Sequence, residues 1–371
     1  MTVALFDCRL PETVVQALDP VLRSGQLAAG PAVSALEERL STYVGNRPVV
    51  AMSDMTQALA MALRLAGVMP GDEVVSLALN CMSSNSAIAM VGAVPVWVDV
   101  DADTASVDLI DLAACITERT RAVVVYHLAG YVGDLNAVRA LCDNRAVPLI
   151  EDANAALGAQ WQGCRTGTFG DYAVFSFYAN RQINAIEGAA LVCRDANTAA
   201  EAKTLRRFGI DTTRFRTPDG EIDPALDVPR IGVSASLTNV NATLAVLGMA
   251  DLDERIERNR ANVAYLSARL EGIPGTRLIA ERDGSRGVFW VALLRTTVRA
   301  QLITDLKHAG VQCSKLHQRN DVYSGFGARP RPLPGTTLLE QEMLALPSGW
   351  WLSNNDLDQI VAIVSAGVET V

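Results

Sequence analysis

Lysine is nearly missing from this chain: of 32 basic side chains in 371 residues only Lys203, Lys307 and Lys315 are lysines, and the rest are arginines. None of the three follows a predicted strand end, so a nucleophilic amine has no obvious post. Histidine is equally scarce, at three residues. Runs of basic residues are also absent and the net charge is −9, which excludes the electrostatic footprint of a nucleic-acid partner. No apolar stretch is long and uninterrupted enough to span a bilayer, so no membrane association is expected. The start, MTVALFDCRLPET, lacks the basic head and apolar run of a signal peptide, and a cytoplasmic protein is expected. The seven cysteines are odd in number and scattered, without CxxC spacing. Reduced thiols and no metal site are the reading.

Half of the residues are apolar and a fifth are charged, an ordinary globular balance. A chain of this length exceeds one compact core, so two lobes are expected. Residues 11–44 read as two helices broken at Ser24-Gly25 and Gly30-Pro31. Short apolar runs at 48–52, 73–78, 95–101, 122–127, 147–150 and 173–178 then read as strands, with helical patterns between most of them. Such βα alternation predicts a doubly wound, mostly parallel sheet, whose ligands sit at the C-terminal strand edge. Residues 209–233 are rich in Pro, Gly and Asp without periodicity, a loop expected to be functional or disordered. Residues 239–270 form one long helical pattern, and the lobe boundary is placed within it: a large domain over 1–245 and a small α+β domain over 246–371.

The stretch from Gly170 to Ala190, GDYAVFSFYANRQINAIEGAA, carries the most specific pattern. Gly170, Asp171, Phe175, Ser176, Phe177, Glu187, Gly188 and Ala190 stand in the register of the cofactor segment of the DegT/DnrJ/StrS sugar aminotransferases, which this chain resembles from Ser24 to about Ala366. Further motifs agree: the opening SGQLAAGPAVSALEERLSTYVG, PVWVDVD at 95–101, and His127 with Gly130 and Asp134. The resemblance implies the type I aminotransferase fold, a large α/β lobe plus a smaller α+β lobe, and a dimer. It also implies pyridoxal phosphate chemistry, and there the chain departs from the pattern. Arg181 falls where the family has its Schiff-base lysine, and a guanidinium has no lone pair with which to attack an aldehyde.

On the resemblance, Asp152 would pair with the pyridine nitrogen of the cofactor. Thr56, at the phosphate turn beside Asp54 and Met55 in place of a tighter Gly-Thr turn, and Ser176 would be its vestigial ligands. Cys81 stands where an aromatic would stack on the ring, and Ala155 where a glutamine is usual. Ser234 and Ser236 take the substrate-facing slots, and the HQRND segment offers His317, Arg319 and Asp321 for sugar or diphosphate contacts. His127, Asp152 and His317 are the acid–base candidates; Arg181 would hold an anionic or carbonyl group or pair with Asp152. The leading expectation is an enzyme acting on a sugar- or cyclitol-like small molecule, nucleotide-linked or free, without an internal aldimine. No covalently held cofactor is expected, with pyridoxal or pyridoxamine phosphate as the lesser alternative. Two other readings stay open: a non-catalytic partner of an active homologue in a heterodimer, and a cofactor-dependent aminotransferase or dehydratase, acting as a homodimer, that works without the lysine.

Overall fold

The computed structural model describes residues 2–327 and 330–369. After two helices, α1 (Val14–Ser24) and α2 (Pro31–Tyr43), the large lobe alternates strand and helix: β1 (Val49–Met52), α3 (Met55–Leu65), β2 (Glu73–Leu77), α4 (Met82–Met90), β3 (Val94–Val98), α5 (Leu109–Cys115), β4 (Thr120–Tyr126), α6 (Leu135–Asp143) and β5 (Leu149–Asp152). Strands β6 (Tyr172–Ser176) and β7 (Ala189–Val192) and helix α7 (Ala196–Leu205) complete it. The strands form a seven-stranded sheet in the order β1-β7-β6-β5-β4-β2-β3. Only β7 runs against its neighbours. This is the mostly parallel, doubly wound sheet read from the sequence, with both faces buried as helices on either side require.

Strand order reverses between β2 and β4, because β3 lies outside β2 while β5 and β6 continue beyond β4. That reversal opens a crevice at the C-terminal strand edge. Register aligns the edge: Asp152 of β5 lies opposite Tyr126 of β4 and Val174 of β6. Apolar side chains fill both faces of the sheet, Val125, Leu149 and Phe175 on one and Val124, Ile150 and Val174 on the other.

The helical pattern at 239–270 is two helices, α8 (Asn239–Gly248) and α9 (Leu252–Leu270), not one. Helix α8 packs on α1 and α2, whereas α9 packs on β8 (Thr276–Leu278) and on the last helix, α12 (Asn354–Glu369). We propose the lobe boundary at the break between α8 and α9. The small lobe adds β9 (Ala292–Thr296), α10 (Arg299–His308), α11 (Pro334–Glu342) and β10 (Met343–Leu346), its three strands forming an antiparallel sheet ordered β8-β9-β10. The first residues of the chain pack against this lobe. The amide of Val3 bonds Gly310 O and its carbonyl takes the Gln312 amide, both at 2.9 Å, while Trp351 Nε1 donates to Ala4 O. One apolar cluster runs through both lobes, from Leu36 and Val125 to Leu266 and Leu346, so the small lobe is cemented to the large one. Residues 209–233 form turns held by isolated bridges, Arg207 to Ser234 and Arg216 to Ile222. Among the described residues no helix is long and apolar enough to cross a membrane, and no cluster of three or more metal-ligating side chains occurs.

Candidate active site

Two adjacent carboxylates end β5, and pleating sends them to opposite faces. Glu151 is fully buried and accepts the amides of Gly167, Phe169 and Gly170 at 2.8–2.9 Å, with His127 Nε2 at 3.3 Å. Burial alone would raise its pKa; the His127 contact and the Gly167 and Gly170 amides outweigh that and hold it below the usual value. His127 thereby serves the turn that feeds β6.

Asp152 faces the crevice. Its side chain is wholly buried and takes only neutral donors: Asn154 Nδ2 at 3.0 Å, the Asn154 amide at 3.3 Å and Asn80 Nδ2 at 3.4 Å. Desolvation raises its pKa, and these donors oppose the rise. The Ser84 hydroxyl nearby also favours the charged carboxylate, although it makes no hydrogen bond of ordinary geometry.

Arg181 leaves the loop after β6 and is 8% exposed. Nη1 donates to Asn180 Oδ1 at 2.7 Å and Nη2 to Asn154 Oδ1 at 3.2 Å. Its guanidinium lies 4.1 Å from the ring centre of Trp290, a contact worth about 1–2 kcal/mol where water is excluded. Trp290 donates its Nε1 hydrogen to Asn180 O at 2.6 Å and stacks on Phe6 at 4.5 Å and 15°. Two such close partners take opposite faces of one indole, so Phe6, from the first residues of the chain, backs the ring that holds Arg181. The expected direct pair between Arg181 and Asp152 does not form. Asn154 stands between them, accepting from one and donating to the other.

His317 comes from the small lobe and shares a 3.0 Å hydrogen bond with Tyr126 Oη. Burial and the Arg181 charge push its pKa down to about 3, so the imidazole is neutral at physiological pH. Asn320 anchors this loop to the large lobe: its amide bonds Ala78 O at 2.8 Å, and its side chain bonds Asn80 O and Asn85. Arg319 and Asp321, expected to meet a sugar or diphosphate, bind one another through two 2.7 Å contacts. Arg319 also reaches Thr337 and Glu340.

At the other end, Asp54 caps α3, accepting the Gln57 amide at 2.9 Å and the Ser53 hydroxyl at 3.0 Å. Thr56 lies half-buried in the first turn of α3. Ser176 accepts the Tyr178 amide at 3.2 Å. Burial, with the Asp54 charge adding, raises the pKa of Glu187. Cys81 starts α4 with its thiol 3.0 Å from Ser83 Oγ. Ser234 bridges the backbone of Arg207, and the Ser236 hydroxyl reaches only Arg206 O, at 3.5 Å. The structure thus gathers Asp152, Arg181 and His317 at one strand edge. It adds Asn80, Tyr126, Asn154 and Trp290, which the sequence reading did not single out. For Asn80 and Asn154 a signal existed, as polar residues just past strand ends; for Trp290 none did.

A profile of the DegT/DnrJ/EryC1/StrS aminotransferase family matches residues 9–365. The chain belongs to this family. A UDP-4-amino-4-deoxy-L-arabinose–oxoglutarate aminotransferase of Shewanella sediminis is 28% identical over 96% of each chain. The aminotransferase TlmJ from Streptoalloteichus hindustanus superposes with a TM-score of 0.92 at 30% identity, covering 100% of both chains. DesV of S. venezuelae, solved in complex with a ketimine intermediate, gives 0.92 at 27% identity over 100% of this chain and 99% of that one. These relatives overturn the expectation that no covalent cofactor is held and that pyridoxal or pyridoxamine phosphate is only the lesser alternative. The family is one of aminotransferases, and DesV carries a ketimine. A cofactor of the pyridoxal phosphate kind is therefore expected here. The ring end of the site fits one, since Asp152 is a buried carboxylate with no cation in contact, as a pyridinium nitrogen requires. The phosphate end fits less well, because Asp54, the cap of α3, brings negative charge to it.

Proposed function

We propose that this chain is a sugar-modifying enzyme that uses the vitamin B6 cofactor in its amine form, pyridoxamine phosphate, on the carbonyl of a nucleotide-linked keto sugar. Bound there, that cofactor supplies an amine to condense with the carbonyl and a ring that withdraws electrons from the adjacent carbon. The outcome is amine transfer, or loss of a neighbouring hydroxyl as water.

In this reading Asp152 holds the protonated ring nitrogen, with Asn80 and Asn154 fixing the carboxylate. Thr56 and Ser176 offer hydroxyls to the phosphate. Arg181 stands at the post of the family's lysine and does not shuttle protons, because it stays charged. His317 is the neutral imidazole beside the crevice, and we assign to its ring, hydrogen-bonded to Tyr126, a polar contact to the substrate, because a base held near pKa 3 takes up no proton at physiological pH. His127 we assign to the fold. Arg319 and Asp321 we assign to holding the His317 loop, and Ser234 and Ser236 to the rim of the sugar site. A homodimer is proposed, supported by the exposed apolar side chains of Ile186, Phe208 and Ile231.

The observation that carries this reading is the buried Asp152 surrounded by neutral donors. Fluorescence titration with pyridoxamine phosphate tests it. Wild type should bind, and Asp152→Asn should bind roughly tenfold or more weakly through loss of the charged contact. Incubation with a keto sugar nucleotide should then replace its carbonyl oxygen by an amine or remove water, read by mass spectrometry. Equal binding by Asp152→Asn and wild type would sink the proposal.

A further inference from the structure

Arg181 is a buried cation without a counter-ion. It is 8% exposed, and among the described residues no carboxylate makes an ion pair with it. Its two terminal nitrogens rest on the neutral oxygens of Asn180 and Asn154, and Nε is buried with no hydrogen-bond partner. Nor is the side chain loosely placed. Trp290 covers one face of the guanidinium, and Phe6 braces Trp290 from behind. A fixed, dehydrated guanidinium with a donor to spare is the usual receptor for a planar oxyanion, because an ordered fork loses little freedom on binding.

We propose that Arg181 is the receptor for a carboxylate carried by the substrate, so that the sugar this site takes is an acid sugar of the uronic type. The inference rests on the cofactor reading, which commits Asp152 to the ring nitrogen and leaves Arg181 as the unbalanced charge. The neighbouring titratable groups do not balance it. His317 is neutral, and burial keeps the Tyr126 phenol protonated. One monoanion restores neutrality. A phosphate dianion would overshoot that single charge.

The test uses UDP-glucuronate and UDP-glucose as matched probes, differing in the C6 carboxylate, titrated calorimetrically into the protein with and without pyridoxamine phosphate. Wild type should bind UDP-glucuronate roughly tenfold more tightly. Arg181→Met should abolish the preference, and Arg181→Lys should keep part of it. Thermal melts of both variants establish that they fold. Equal affinity for the two probes in wild type overturns the inference, as does a preference that survives in a folded Arg181→Met protein. Cofactor fluorescence in the same samples separates the two proposals. A uronate preference without cofactor binding supports the Arg181 receptor and overturns the cofactor reading; cofactor binding without the preference does the reverse.

Discussion

Arg181 and Asp152 are joined through the amide of Asn154, which accepts from the guanidinium at 3.2 Å and donates to the carboxylate at 3.0 Å. One neutral side chain thus satisfies two buried charges of opposite sign while holding them apart. Direct contact would let each cancel the other and leave neither for a ligand. Asn154→Ala should therefore cost about 1–3 kcal/mol, the penalty of stranding buried polar groups, measured by urea unfolding. Arg181→Met should instead be neutral or raise Tm, because a buried cation without a counter-ion is itself a burden. If both substitutions destabilise to the same extent, Arg181 is a compensated charge and not a free one.

The pH dependence of stability should carry the mark of His317. Its folded pKa, about 3, lies below the ordinary histidine value near 6.5, so the unfolded chain takes up the proton first. Stability is then fully present above about pH 6.5 and falls as pH drops toward 3, by up to about 1.4 kcal/mol per pH unit. His317→Gln should flatten that part of the curve, seen in denaturation midpoints between pH 4 and 7 (roughly the window those two values bound). An unchanged slope would mean that the imidazole is not buried beside Arg181.

Arg319 and Asp321 should behave as one unit. With side-chain exposures of 13% and 8%, losing Arg319 strands Asp321, at about 3–5 kcal/mol, whereas losing Asp321 costs less because Arg319 keeps Thr337 and Glu340. The double substitution Arg319→Met/Asp321→Leu should cost clearly less than the two single losses together, as a double-mutant cycle measures. Binding of UDP-glucose should change by less than twofold to threefold in the double variant, roughly 0.5 kcal/mol. A larger loss would return these residues to the sugar site.

His127→Gln should lower stability by about 1–3 kcal/mol through the Glu151 cluster. Turnover per folded molecule should hold steady. A fall of a hundredfold or so, on the scale of a lost acid–base group, would put His127 in the reaction after all.

Much of this protein was legible in one dimension. Alternating apolar runs and helical patterns gave the parallel sheet because burial on both faces leaves its trace at every strand, and short motifs at 24–45, 95–101 and 170–190 pointed to the family. The place of Asp152, at the end of a strand beginning at Leu149, followed from the same pattern. That Arg181 has no amine to offer is a fact of covalent chemistry and needed no coordinates.

Only the tertiary structure decided what surrounds those two residues. Phe6, Asn154, Trp290 and His317 are far apart in sequence, and no local propensity records that a ring from the small lobe, braced by the sixth residue, covers a guanidinium of the large one. The same holds for Glu151 and Asp152: adjacency in sequence says nothing of their roles, whereas the pleat turns one into a fold-holding acceptor and leaves the other facing the crevice. Covalent identity fixes which charges and lone pairs exist. Packing fixes which of them are paired, dried or left waiting for a ligand.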